Sequence, residues 1–273
     1  MGNVIDAKEY NEFLEAIRFV YGYDFTDYAE STVKRRIFHF MTGRRIEDLN
    51  KLGKILLKEE AIFEEFVKEL SVTVTEMFRD PLFYKGIREK VIKRLATYPF
   101  IRIWIAGCAT GEEVYSVAIL LKEEGLLERS IIYATDINPA SLESAKQGVY
   151  ALSAMKTYTS NYQLAGGKRE FSEYYLAKYD SALFDASLKQ NVVFSSHNLA
   201  MDKSFNEFHL ILCRNVLMYF NQRLQDRVLE LFYDSLCPFG FLGLGDKESL
   251  LFSSRKDHFE ETDRKQKIYM KTK

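Results

Sequence analysis

The chain has 273 residues, 47% apolar and 28% charged, with a formal net charge of −1. Such a chain can bury one sizeable core and a smaller one, and it is neither disordered nor fibrous. Cys108, Cys213 and Cys237 are odd in number and far apart, the His residues lack ligand spacing, and neither a bilayer-length apolar run nor a signal-peptide pattern at Met1–Val20 is present, so a soluble protein of a reducing cytoplasm without a disulfide framework, metal or membrane insertion is expected.

Residues 1–70 read as all helix. Tyr10, Phe13, Leu14, Ile17 and Tyr21 recur at helical spacing, as do Val33, Ile37, Phe40 and Met41 behind a Ser31 cap, and then Ile62, Phe66 and Leu70. Between Lys34 and Lys58 lie eight Lys or Arg residues against Glu47 and Asp48, a balance of +6 in a chain whose remainder is acidic. Such a run is either a solvated face or a docking surface for an acidic partner; the chain as a whole is not basic enough to press a nucleic-acid case.

Ser71–Pro81 leads into a helix, with Asp80 as cap, Pro81 at its first position and Phe83, Ile87, Val91 and Leu95 on one face; Pro99 ends it. Ile101–Ala106 is an apolar, β-branched run of the kind that forms a buried parallel strand. Gly107 and Gly111 then allow a tight turn and close backbone approach to a ligand, and a helix opens on Glu112 and Glu113. A helix N-terminus favours anions, but two acids there would repel a pyrophosphate. They suit a ligand carrying positive charge, such as the ammonium and sulfonium of S-adenosylmethionine, or else they only cap the helix.

Strands and helices alternate from there: 131–136, 139–147, 208–213, 222–236, a short strand at 241–244 and an edge strand at 267–271. This alternation argues a doubly wound α/β sheet. Between Tyr150 and Asn191 the pattern breaks into a Tyr- and Lys-rich insertion, too long for a plain loop.

In such sheets ligands sit beyond the carboxyl ends of the strands. Four segments converge there: the Gly107–Glu112 turn; Asp136, 25 positions beyond Gly111; His197-Asn198-Leu199; and Cys213-Arg214-Asn215-Val216 with Tyr219. Asp136 is placed to bind both ribose hydroxyls or to cap the next helix; Asn198 to hold an adenine edge or to form a turn; Arg214 to face the acceptor or to lie on the surface.

Taken in order, Thr73-x-Thr75-x-x-Phe78-Arg79, Ala-Thr-Gly-Glu-Glu113 with Tyr115-Ser116, Ala134-Thr-Asp-Ile137 and Cys213-Arg-Asn-Val216 with Tyr219-Phe220 resemble the chemotaxis receptor methyltransferases, the CheR family. Each motif is weak alone; together they are specific, and the resemblance spans essentially the whole chain. It implies a Rossmann-like class I methyltransferase sheet at 71–273, a small all-helical domain at 1–70 and an inserted subdomain at about 150–191, which in some members is a β unit that holds a receptor tail peptide. It also implies that S-adenosylmethionine is used to methylate glutamate side chains on receptor helices, with the basic segment Lys34–Lys58 as a docking candidate. By resemblance Thr73, Thr75, Arg79, Glu112, Asp136, Asn198, Leu199, Arg214 and Asn215 line the cofactor pocket, and Arg79 and Tyr219 lie near the transferred methyl. The family usually has Asn at the place of Thr73 and Phe at that of Met77. A methyltransferase acting on a small molecule or RNA, and a non-catalytic cofactor-binding or receptor-docking module, are the alternative readings.

Overall fold

The computed structural model describes residues 5–71 and 75–272. Its N-terminal part is four helices, Ala7–Tyr21 (α1), Glu30–Arg44 (α2), Leu49–Leu56 (α3) and Glu60–Leu70 (α4). Each turns an apolar stripe inward, so that Phe13, Leu14, Ile17, Ile37, Leu52, Leu56 and Phe66 share one core. The short α3 is a fourth helix beside the three periodic stretches read from the sequence, with Leu49, Leu52 and Leu56 at helical spacing and buried. Ser31 does not cap α2: the cap position is Ala29, two residues earlier, with no side-chain cap.

The next helix is in three pieces, Pro81–Gly86 (α5), a π turn at Ile87–Val91 and Ile92–Leu95 (α6). Its buried face, including Phe83, Ile87, Val91 and Leu95, packs on one side of the central sheet together with Glu112–Glu123 (α7). On the other side Gln222–Ser235 (α10) buries Leu224, Val228, Leu229 and Phe232 in a second core around Trp104.

The sheet has seven strands in the order β6-β2-β1-β7-β8-β10-β9. These are Ile101–Ala106 (β1), Ser130–Asp136 (β2), Val192–Ser196 (β6), Phe208–Cys213 (β7), Leu236–Leu244 (β8), Phe259–Asp263 (β9) and Ile268–Lys271 (β10). The first five run parallel; β10 is antiparallel to β8 and to β9. Ile268–Lys271 is therefore not the edge strand that the sequence pattern suggests. The edge on that side is β9, whose Phe-Glu-Glu-Thr-Asp run hides from an apolar-period search because charged edges are tolerated and useful against further pairing. The strand expected at 241–244 is the end of a nine-residue β8.

Pro139–Gln147 (α8) follows β2. The insertion then comprises Val149–Ala151 (β3), Met155–Leu164 (α9), Tyr175–Lys178 (β4) and Ser181–Phe184 (β5), the strands pairing antiparallel in the order β3-β5-β4. It is fastened to α7 by Glu123, whose carboxylate accepts from the hydroxyls of Tyr162 and Tyr174 and from the Lys168 N–H, and pairs with Arg88.

Candidate active site

Parallel strands end on the same side, so the loops after β1, β2, β6 and β7 meet in one cleft. Its empty volume is about 1000 Å³, open mouth included.

The floor is the turn after β1. Gly107 and Gly111 have φ +80° and +94°, which side chains with a Cβ rarely adopt. A Cβ on Gly107 would lie 2.4 Å from Val216 Cγ2, and one on Gly111 would lie 2.7 Å from the Ala145 Cβ, so both positions also need the missing side chain for packing. Asp136 clasps this turn: its Oδ2 accepts from the Ala109 N–H at 2.8 Å and its Oδ1 from the Asn138 N–H at 2.9 Å. It is not the cap of α8; that cap is the Asn138 side chain, which accepts from the Ala140 and Ser141 N–H groups. Burial pushes the Asp136 carboxyl above the ordinary carboxylate value, partly offset by the N–H donors.

One wall is the segment before α5. Phe78 and Asp80 both have left-handed backbone, with φ 51° and 57°, and Arg79 sits between them. The turn is fixed from several sides. Phe78 is fully buried among Tyr84, Tyr162 and Phe171, and its N–H donates to Ser116 Oγ at 2.8 Å. The Asn161 amide on α9 donates to the Met77 carbonyl at 3.1 Å. Met77 itself is fully buried. Asp80 does not cap α5 with its side chain, as the sequence suggests; its carboxylate is turned to Arg214 instead.

Arg214, at the end of β7, is buried and not a surface residue. Its guanidinium donates to Glu113 Oε1 at 2.9 Å, to the Arg79 carbonyl at 2.9 Å and to Asp80 Oδ2 at 2.7 Å, and it lies 4.1 Å over the Phe83 ring. Burial alone would lower its pKa; Glu113, Tyr84 and Asp80 outweigh that and raise it. The guanidinium is thus chiefly a clamp between α7 and the Arg79 turn.

The two acids at the mouth of α7 part company. Glu113 lines the cleft but is neutralised by Arg214 and receives the Tyr84 hydroxyl at 3.1 Å. Glu112 is not among the lining residues: its carboxylate accepts from Thr110 Oγ1 at 2.7 Å, and burial pushes it up to about 7. The resemblance puts Glu112 in the cofactor pocket, whereas the residue that stands on the cleft wall is Glu113.

Asn198 is also not among the lining residues. Its side-chain oxygen accepts from the Ala200 N–H at 3.0 Å, the turn-forming alternative, while its neighbours His197 and Leu199 face the cleft. Of the remaining expected residues, Thr75, Arg79, Gly107, Asp136, Leu199, Arg214, Asn215 and Tyr219 all line the cleft. Thr73 lies outside the described residues.

His197, in a segment expected to converge on the site, packs its ring 5.1 Å from that of Trp104. Wall residues that the sequence does not single out include Ser71, at the end of α4, and Tyr28, from the helical domain. Tyr28 arrives because the loop between α1 and α2 is clipped to the segment after β7: the Ala29 N–H donates to the Tyr219 carbonyl and the Asn221 N–H to the Asp27 carbonyl, both at 2.8 Å, and Arg223 pairs with Asp27. Tyr28 lies in a segment read as a separate domain, and nothing local to it points to the cleft.

The described residues contain no cluster of His, Cys, Asp and Glu able to hold a metal, and no helix long and apolar enough to cross a membrane. The family model described as the CheR methyltransferase SAM-binding domain matches residues 73–268, and that of the CheR methyltransferase all-alpha domain matches residues 8–71. The chain belongs to the CheR methyltransferase family. It is 51% identical over 259 residues to a putative methyltransferase, Cher3, of Pseudomonas putida, with 95% of both chains covered. It is 30% identical to a chemotaxis protein methyltransferase of Listeria innocua, covering 89% of this chain and 91% of that one. A Salmonella typhimurium chemotaxis protein methyltransferase is also 30% identical, over 82% of this chain and 77% of its own length. This CheR chain is thus an S-adenosylmethionine-dependent methyltransferase with the α/β fold and the all-helical N-terminal domain that its motifs imply.

Proposed function

We propose that this CheR methyltransferase transfers methyl groups from S-adenosylmethionine to glutamate side chains on the cytoplasmic helices of chemotaxis receptors, giving glutamyl methyl esters. The observation that carries the reading is the placement of Arg79 and Tyr219 on the same cleft as the Gly107 turn and Asp136, in a chain matched by both CheR domains. The acceptor is inferred from the family resemblance and from relatives named as chemotaxis protein methyltransferases.

The cleft fits the cofactor. A glycine turn forms the floor, and Asp136 keeps acceptor capacity beyond the two N–H groups it receives. When bound, the cofactor supplies a methyl group on cationic sulfur. In this reading Asp136 holds the ribose hydroxyls, Gly107, Leu199 and Asn215 shape the pocket, and Thr75 and Arg79 stand toward the reacting end. A glutamate with pKa about 4.3 is already ionised at neutral pH, so no general base is required. The work of the chain is to aim the carboxylate and exclude water, and the planar fork of Arg79 suits a carboxylate. Tyr219 completes the wall with a hydroxyl.

Incubation with methyl-labelled cofactor and receptor fragments tests this. The expected result is label in the fragment that mild alkali releases as methanol, as an ester requires. Label that resists alkali, or label appearing only on small molecules or RNA, would refute the glutamate assignment.

Arg79→Ala is expected to lower turnover by about 100-fold, the usual cost of a misaimed reactant, with a smaller loss of cofactor affinity. Kinetics at saturating cofactor beside calorimetry separate the two; a variant that loses affinity but keeps its rate would make Arg79 a binding residue only.

The basic segment is proposed to dock on acidic receptor helices. The structure divides it: Lys34 pairs with Glu30, Arg36 with Glu69, Arg44 with Glu65 and Lys51 with Glu47. Arg35, Arg45, Lys54 and Lys58 are exposed and make no ion pair among the described residues. Reversing these four to Glu is expected to slow receptor methylation several-fold and to leave cofactor affinity unchanged, and the wild-type rate should fall with added salt, since exposed charges are screened beyond about 10 Å at 0.1 M. Methylation indifferent to both would leave a solvated face.

A further inference from the structure

Glu248 lies just past the end of β8 and is 4% exposed. Among the described residues its carboxylate takes four backbone N–H groups and no side chain: Oε2 accepts from Gly245 at 2.7 Å and Asn215 at 3.0 Å, and Oε1 from Val216 at 2.8 Å and Met218 at 3.3 Å. A buried carboxylate is costly unless hydrogen-bonded, and charge-assisted bonds are the strong ones, so this cluster is a firm joint and not an incidental contact. Three of the four donors belong to the segment between β7 and α10. That segment carries Arg214, Asn215 and Tyr219 into the cleft.

The segment needs such a joint. Asn215 has left-handed backbone, φ 62°, which costs energy unless the surroundings hold it. Val216 fills the space over Gly107 that a Cβ would occupy. A Cβ on Gly245 would lie 2.8 Å from both the Asn215 nitrogen and Glu248 Oε2, so the end of β8 and the segment are in close contact. On the far side, the helical domain grips the same segment through the Ala29 N–H and the Tyr219 carbonyl.

We infer that Glu248 is a positioning residue for methyl transfer: it locks the 214–219 segment against the glycine turn, and so sets where Asn215 and Tyr219 stand. The inference rests on the methyl-transfer reading above. Glu248 touches no reactant; it acts through the backbone it holds.

Glu248→Gln is the test. The change is isosteric, but an amide can offer its oxygen to only one donor pair and sets an NH2 against the other. The expected result is at least a tenfold fall in kcat at saturating cofactor and acceptor, together with amide hydrogen exchange at 215–218 and 245 that is at least tenfold faster than in the wild type. Exchange in β1 and in α1–α4 should stay as it was, which a general loss of stability would not allow. If the Gln variant does not fold, Glu248→Asp, which keeps the charge but withdraws it by one methylene, is measured in the same way. Wild-type kcat in a folded variant overturns the inference, as does unchanged exchange at 215–218. A wild-type protein that binds no S-adenosylhomocysteine by calorimetry would instead sink the methyl-transfer reading, and the exchange result would still report on the joint.

Discussion

Arg214→Ala is expected to destabilise the methyltransferase domain by about 3–5 kcal/mol, the range for breaking one side of a buried ion pair. The side chains of Arg214 and Glu113 are 3% and 12% exposed, and removal of the guanidinium leaves the Glu113 carboxylate without its cation, against the Tyr84 hydroxyl. It also releases Asp80 and the Arg79 carbonyl, so the two left-handed residues of that turn lose a support. Urea unfolding measures the loss. The second variant, Arg214→Ala with Glu113→Gln, should recover part of it, because a neutral amide is cheaper to bury than a lone carboxylate. A single variant within about 1 kcal/mol of the wild type, the typical value of an exposed pair, would mean that solvent reaches the cluster.

Asp136→Ala should weaken both S-adenosylmethionine and S-adenosylhomocysteine by roughly 2–4 kcal/mol, two hydrogen bonds to a charged acceptor with incomplete additivity. That is about 30- to 1000-fold in Kd. The structure adds a second source of loss, because Asp136 also holds the Ala109 N–H and so the shape of the glycine turn. Asp136→Asn separates the two effects. It keeps an oxygen for one donor, so a turn defect should be milder in Asn than in Ala, whereas loss of the negative acceptor is common to both. Calorimetry on a folded Asp136→Ala protein with wild-type affinity for both ligands would remove this carboxylate from the cofactor site.

Much of the architecture was legible because burial on both faces forces a parallel strand to be continuously apolar, as at Ile101–Ala106 and Phe208–Cys213, and because helices covering it repeat at 3.6 residues. What escaped did so for stated reasons. The edge strand Phe259–Asp263 carries charges where solvent allows them, and Leu49–Leu56 is too short to stand out. At the site, Asp136 and the glycine turn were readable since their spacing is local to one βα unit. The different fates of Glu112 and Glu113 were not, because two adjacent helical residues point about 100° apart and only the packed neighbours tell which one meets Arg214.

By itself, then, the sequence determined the type of most elements, the family motifs and the strand ends where the cleft opens, since these follow from periodicity and from residues near one another in the chain. The tertiary structure alone decided that Arg214 is a clamp across residues 79, 80 and 113, that Tyr28 of the helical domain walls the cleft, and that Glu248 gathers the backbone of the segment bearing Tyr219. Each of these joins groups 30 or more positions apart, and a hydrogen bond or ion pair forms only where folding brings donor and acceptor within about 3 Å, which no local pattern records.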